Sequence, residues 1–216
     1  MTTKNDIWQQ WAERYIDTES PIPLFETDEK LAVEYKEYGK NDRHILKRSE
    51  EMEAAIRNQG RKVINDWSTT DDTYDGLIYL MYWLIDDEIV PLYVGKAGKY
   101  GTDGKRLSNN LVELRGNGTG KFARWGNGYD YHIGDISNVI FSHDRKNKTK
   151  YENWADRLFA EDRTLKRPTY FWTRAWKQED VGLYHEFEVP LGELEYQIIG
   201  LASDLYSNYL LNHEGA

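Results

Sequence analysis

The chain has 216 residues, 39% hydrophobic and 30% charged, with a formal net charge of -9 and no cysteine. That is apolar material for one sizeable core, or a core with a small appendage, and the missing cysteine excludes a disulfide framework, a thiol nucleophile and a Cys-based zinc site. The five histidines show no HExxH-like spacing, no run approaches the ~18 apolar residues of a membrane span, and the start MTTKNDIWQQWAERY lacks a secretory pattern, so a cytoplasmic chain without a membrane partner is expected.

Helical signals come first along the chain. Ile7, Trp8, Trp11 and Tyr15 recur at three- and four-residue spacing, and Ile45, Met52, Ile56, Val63, Ile64 and Trp67 fall near one stripe of a helix predicted over Ile45 to Trp67. Pro21 and Pro23 separate the two, a short helix is expected from Asp28 to Tyr38, and Gly39 breaks it. Ser68 to Asp72 reads as a loop, which divides the chain into a helical amino-terminal extension, residues 1–72, and a second part, residues 73–216.

The second part opens on GLIYLMYWLIDDEIVPLYVG, from Gly76 to Gly95. Two runs rich in Ile, Val and Tyr, Leu77 to Ile85 and Ile89 to Val94, flank the acidic turn Asp86-Asp87-Glu88, which predicts an antiparallel hairpin. Three Gly-containing breaks follow, around a short helix expected from about Gly104 to Arg115. Farther on, Arg163 to Lys177 joins basic residues to four aromatics, Tyr170, Phe171, Trp172 and Trp176. Either it reads DNA through Arg163, Lys166, Arg167 and Arg174, or its aromatics bury in the core while its charges face water. The carboxy-terminal segment Leu191 to Gly215 predicts a helix with Leu194, Ile198, Leu201, Leu205 and Tyr209 on one stripe after Pro190. The pattern as a whole is α+β, a small mainly antiparallel central sheet flanked by helices.

Charge is unevenly spread. Lys96 to Lys177 holds 17 Lys and Arg against 9 Asp and Glu, while the remainder holds 11 against 28. A basic middle between acidic ends suits a nucleic-acid-binding face on a protein kept soluble by its flanks, and a mixed solvated surface would also produce it.

Gly76-Leu77-Ile78-Tyr79, followed by Tyr93-Val94-Gly95, resembles the signature of the GIY-YIG nuclease superfamily. The resemblance covers about residues 74 to 216 and continues, in order, with a downstream arginine and a helix-borne glutamate. Arg106, with Asn110 four residues on, and Arg124, between Phe122 and Trp125, compete as the arginine. Glu195 matches the glutamate as EYQII, with Glu193 its nearest competitor, and Asn212 or Asn208 the later asparagine; the Glu195 to Asn212 separation is longer than the pattern's. A hairpin of ordinary core residues and a glutamate favoured by a helix start are the plain structural alternatives.

The resemblance implies metal-dependent hydrolysis of phosphodiester bonds in DNA, with restriction or defence as its setting. Tyr79 would take the proton of the attacking water, Lys96 would help it do so, and Tyr93 would bind phosphate or Tyr79. Arg106 or Arg124 would stabilise the transition state, and Glu195 would hold magnesium or manganese. Lys121, Trp125, Arg163, Lys166, Arg167, Arg174 and Asn212 are the further nucleic-acid contacts expected. RNA as substrate and a homodimeric assembly stay open. An inactive nucleic-acid-binding module of the same fold and a helical protein-interaction protein are the alternatives.

Overall fold

A computed structural model of the chain describes residues 2–116, 122, 125–126, 131–141, 149–184 and 187–212. Helix α1, Lys4–Tyr15, starts at Thr3, whose side chain accepts from the Asp6 amide while Asp6 accepts from the Thr3 amide. This reciprocal cap satisfies donors that a helix start otherwise leaves bare. The helix buries Trp8, Trp11 and Ala12.

The short helix expected from Asp28 to Tyr38 is absent. Asp28 instead turns the chain, its carboxylate accepting from the amides of Lys30 and Ala32 at 2.9 Å each, and Leu31 has φ 64, which ends any helix there. Strand β1, Tyr35–Tyr38, then pairs antiparallel with β2, Arg43–Leu46. The amino-terminal part is therefore not purely helical. Ile45 belongs to β2, and helix α2, Glu50–Thr69, begins only after Ser49, whose hydroxyl accepts from the Met52 amide at 2.9 Å. Three glutamates in its first turn favour the positive end of the helix dipole.

The predicted hairpin is present and longer than its apolar runs: β3, Tyr74–Ile85, pairs antiparallel with β4, Glu88–Gly98. Asp86 and Asp87 both have positive φ, 52° and 65°, as a tight two-residue hairpin turn requires. The expected helix over Gly104 to Arg115 shrinks to α3, Asn109–Val112, and a single 3-10 turn, Glu113–Gly116. Helices α4, His132–Ile140, and α5, Thr149–Leu158, follow. The basic-aromatic segment supplies β5, Tyr170–Lys177, which pairs with β3 on the side away from β4. It is a strand of the central sheet, with Phe171 and Trp176 fully buried. Helix α6, Leu191–Leu205, ends well before Gly215, and Tyr209 lies beyond it against Trp83.

β3 is paired along both edges as the middle strand of three, and helices cover both its faces, from which its near-continuous apolar run follows. Leu77, Tyr79, Met81 and Trp83 face one layer, with Met52, Ile56 and Val63 of α2, Ile133 and Ile136 of α4, and Trp154 and Leu158 of α5. Ile78, Leu80 and Tyr82 face the other, with Trp8 and Trp11 of α1 and Leu191, Leu194 and Ile198 of α6. This alternation decides which functional candidates can meet. Among the described residues no helix is long and apolar enough to cross a membrane.

Candidate active site

Tyr79 and Gly95 are direct cross-strand partners, and the Tyr79 ring lies across the glycine. Phe122 and Trp125 meet the ring edge-on at 6.2 Å each, and Phe171 stacks beneath it at 6.3 Å. The ring is held so that its hydroxyl reaches past Gly95 and donates to the Lys96 carbonyl at 3.2 Å. A Cβ on residue 95 would stand 2.5 Å from Tyr79 Cε2 and 2.8 Å from its Cζ and hydroxyl. Gly95→Ala is accordingly expected to lower stability by about 1–3 kcal/mol, read by urea denaturation, and a variant as stable as the wild type would show that the ring does not rest there.

The Lys96 carbonyl points away from the sheet. Two residues earlier, the Val94 amide and carbonyl both turn outward to the Asn212 side chain, at 2.9 and 2.8 Å, and Leu92 O accepts from Leu211 N. Antiparallel pairing repeats this orientation every second residue, so Lys96 presents its backbone to the same open edge of β4. Asn212 spends its amide on the edge strand and fastens the carboxy-terminal segment to it.

Lys96 pairs with Ile78 and so sends its side chain to the face opposite Tyr79, where its ammonium meets Glu195 Oε2 at 2.5 Å. Glu195 arrives on α6, whose Leu194 and Ile198 anchor that helix in the second layer. Tyr79 and Glu195 thus lie on opposite faces of the sheet, and the link between them is Lys96, whose carbonyl meets one and whose ammonium meets the other. The Lys96 and Glu195 side chains are 32% and 18% exposed, partly open to solvent.

Among the described residues no group of three or more His, Asp or Glu converges as a metal cage. Glu195 would be the residue to hold a metal; its Oε2 is engaged by Lys96, and Oε1 accepts no hydrogen bond among the described residues. One carboxylate oxygen suits magnesium, which keeps waters and takes its other ligands from phosphate.

The remaining candidates scatter. Tyr93 shares the Tyr79 face but stands in an aromatic cluster, its ring 4.9 Å from both His132 and Trp154 and 6.0 Å from Trp125, with the Lys150 ammonium over it. Trp125 is 1% exposed, so it is a core residue rather than a surface on which a base could stack. Arg106 is not helical; it is an exposed loop residue beside Asp103, on an open groove of about 690 Å³ that Gly98 and Trp67 also line. Arg124 and Lys121 lie outside the described residues. Arg163, Lys166 and Arg167 are exposed on the approach to β5, across β3 from the β4 edge; Arg163 lies over Phe141, and Lys166 donates to the Asp156 carbonyl. Arg174 is committed to Asp180 at 3.1 Å and to the face of Tyr15 at 4.9 Å, so it fastens α1 to the sheet.

Tyr196, which the motif does not include, also belongs at the β4 edge; its place next to Glu195 was the only sequence signal for it. No family model matches this chain, and no curated protein or solved structure does either.

Proposed function

We propose that the chain is a metal-dependent DNA endonuclease of GIY-YIG type, acting in restriction or defence. The observation that carries this reading is Lys96 on the edge strand β4, whose carbonyl accepts from the Tyr79 hydroxyl on one face of the sheet and whose ammonium pairs with Glu195 on the other, with Asn212 bound one repeat along the strand. The three-stranded antiparallel sheet between helical layers is the coarse architecture that the motif's resemblance implies.

Each group then has a task. The Tyr79 hydroxyl, directed to this edge by the Lys96 carbonyl, acts as general base: its own proton passes to solvent, it takes the proton of the water that attacks phosphorus, and the leaving 3′-oxygen is protonated from solvent. The Lys96 ammonium has donors to spare beyond Glu195 and turns one to a phosphate oxygen. Arg106, on a groove that reaches back to Gly98, supplies positive charge for the transition state. Glu195 would hold magnesium or manganese, and the bound ion supplies further charge for the phosphate and the leaving 3′-oxygen. The partner is DNA, and the basic middle of the chain is the source of its attraction.

Supercoiled plasmid incubated with magnesium should be nicked or linearised by the wild type, whereas Tyr79→Phe and Glu195→Ala should each slow cleavage by at least ~10²-fold while still binding DNA. Plasmid left intact by the wild type with either metal would remove the enzyme reading. An inactive nucleic-acid-binding module is the second reading, favoured by the ion pair that already engages Glu195; it predicts salt-sensitive binding without cleavage.

A further inference from the structure

Tyr196 is the most exposed large aromatic residue described, at 71%, yet it is not remote from the chemistry. The Lys96 ammonium lies 5.2 Å from the centre of its ring, and the same ammonium binds Glu195, the residue before it on α6. One turn earlier the helix carries Gly192, and a Cβ there would stand 3.7 Å from Lys96 Nζ. That is an ordinary contact distance, so the ammonium lies beside this bare turn of the helix. The ammonium thus lies over one side of the ring, and most of the remaining ring surface is exposed. Apart from the Lys96 ammonium over it, the Tyr196 ring is largely exposed to solvent.

Building on the nuclease reading, we infer that Tyr196 is a substrate-binding residue: its ring stacks on the nucleoside adjoining the phosphate that Lys96 holds. The occupant is a DNA strand because the ammonium and the ring together match the two chemistries a nucleotide presents, an anionic phosphate and a flat π face, within the reach of one nucleotide. Base-aromatic stacking is tolerant of sequence and strong enough to matter at a single position. Tyr196 would thereby set the strand against the β4 edge and orient the phosphodiester toward the Tyr79 hydroxyl.

The test is fluorescence anisotropy with a fluorescein-labelled mixed-sequence DNA, single-stranded and duplex, run without magnesium so that cleavage cannot interfere. Tyr196→Ala should weaken binding by about 5- to 50-fold and Tyr196→Trp should restore it, with thermal unfolding unchanged because the ring is exposed. Tyr35→Ala, which removes a ring that is also exposed, 54%, but on the two-stranded sheet, should have no effect. Binding unchanged in Tyr196→Ala, or weakened equally by Tyr35→Ala, overturns the inference and leaves the nuclease reading standing if the wild type cuts plasmid. Loss confined to Tyr196→Ala in a wild type that binds but never cuts supports the stacking role and removes the enzyme reading. A wild type that does neither overturns both.

Discussion

Alanine at position 76 is expected to cost about 3–5 kcal/mol of stability, the sum of a backbone conformation unsuited to a side chain and a collision that cannot be relaxed cheaply. Gly76 has φ 151, which L side chains rarely adopt. A Cβ there would stand 2.2 Å from the Ala97 carbonyl oxygen, 2.9 Å from Gly98 Cα and 2.8 Å from Leu191 Cδ2. The first two are backbone, and that backbone is tied down: Gly76 pairs with Gly98, and Lys99 N donates to Asp75 O at 2.7 Å. The third belongs to the start of α6, which Asp75 fixes by accepting from Leu191 N at 3.1 Å. Relief therefore means pushing β4 and α6 away from β3, and those two elements carry Lys96 and Glu195. Urea denaturation followed by tryptophan fluorescence measures the loss, and Gly98→Ala is the control, since its Cβ would meet only the Tyr100 carbonyl at 3.7 Å. Equal stabilities for the two variants would sink the argument. The first glycine of the motif is thus required by the joint between sheet and helix, and the second, Gly95, by the ring laid across it.

The hairpin was legible in the sequence because a strand covered on both faces must be apolar at every position, and because the acidic pair Asp86-Asp87 marks its turn. The third strand was harder. In Tyr170–Lys177 the residues Phe171, Thr173 and Ala175 face one layer, and Trp172, Arg174 and Trp176 the other. That alternation was present as a signal, but the basic residues around it resembled a nucleic-acid-reading insertion. Arg174 shows why composition misled: its charge is answered by Asp180 and its plane by Tyr15, partners far from the nucleotide contacts expected of it. The short helix expected over Asp28 to Tyr38 failed for a local reason, since the Asp28 side chain turned the chain by accepting from the Lys30 and Ala32 amides. The Lys96 to Glu195 contact could not be read at all, because it depends on which face of β4 the lysine takes and where α6 lies in the second layer. A motif fixes the order of its residues, and only the sheet decides which of them share a face.

Lys99→Met is expected to destabilise the fold by about 3–5 kcal/mol near neutral pH, the usual consequence of removing one partner from a buried ion pair. The Lys99 side chain is 1% exposed and its ammonium lies 2.8 Å from Asp66, itself 4% exposed, and 2.8 Å from Asp72 at the surface. Asp66 also accepts from the amides of Thr73 and Tyr74, so this carboxylate joins the end of α2 to the start of β3. Burial raises the Asp66 carboxyl, but the Lys99 bond and the two amides outweigh it and hold the group below the ordinary carboxylate range. Burial likewise lowers Lys99, and its bonds to Asp66 and Asp72 reverse that, holding it above the ordinary lysine range. A lowered carboxyl stabilises the fold above its unfolded pKa, about 3.9, and loses that contribution as pH falls through the folded value; a raised ammonium stabilises below about 10.4 and loses its contribution as pH rises past the folded value. The full contribution therefore spans roughly pH 4 to 10. In Lys99→Met the buried carboxylate has lost its cation and gains stability by taking up a proton. The gap between wild type and variant should accordingly be widest near neutrality and should narrow on acidification, first above pH ~4 as the variant's carboxylate takes its proton and then below it as the wild type loses its own contribution. Asp66→Asn added to Lys99→Met should recover part of the loss, because the amide keeps an acceptor for the Thr73 or Tyr74 amide without a buried charge. Urea midpoints measured across pH for the three proteins decide it: a Lys99→Met variant within about 0.5 kcal/mol of the wild type at neutral pH, or a gap that ignores acid, would mean that the buried pair is incidental to the joint between α2 and β3.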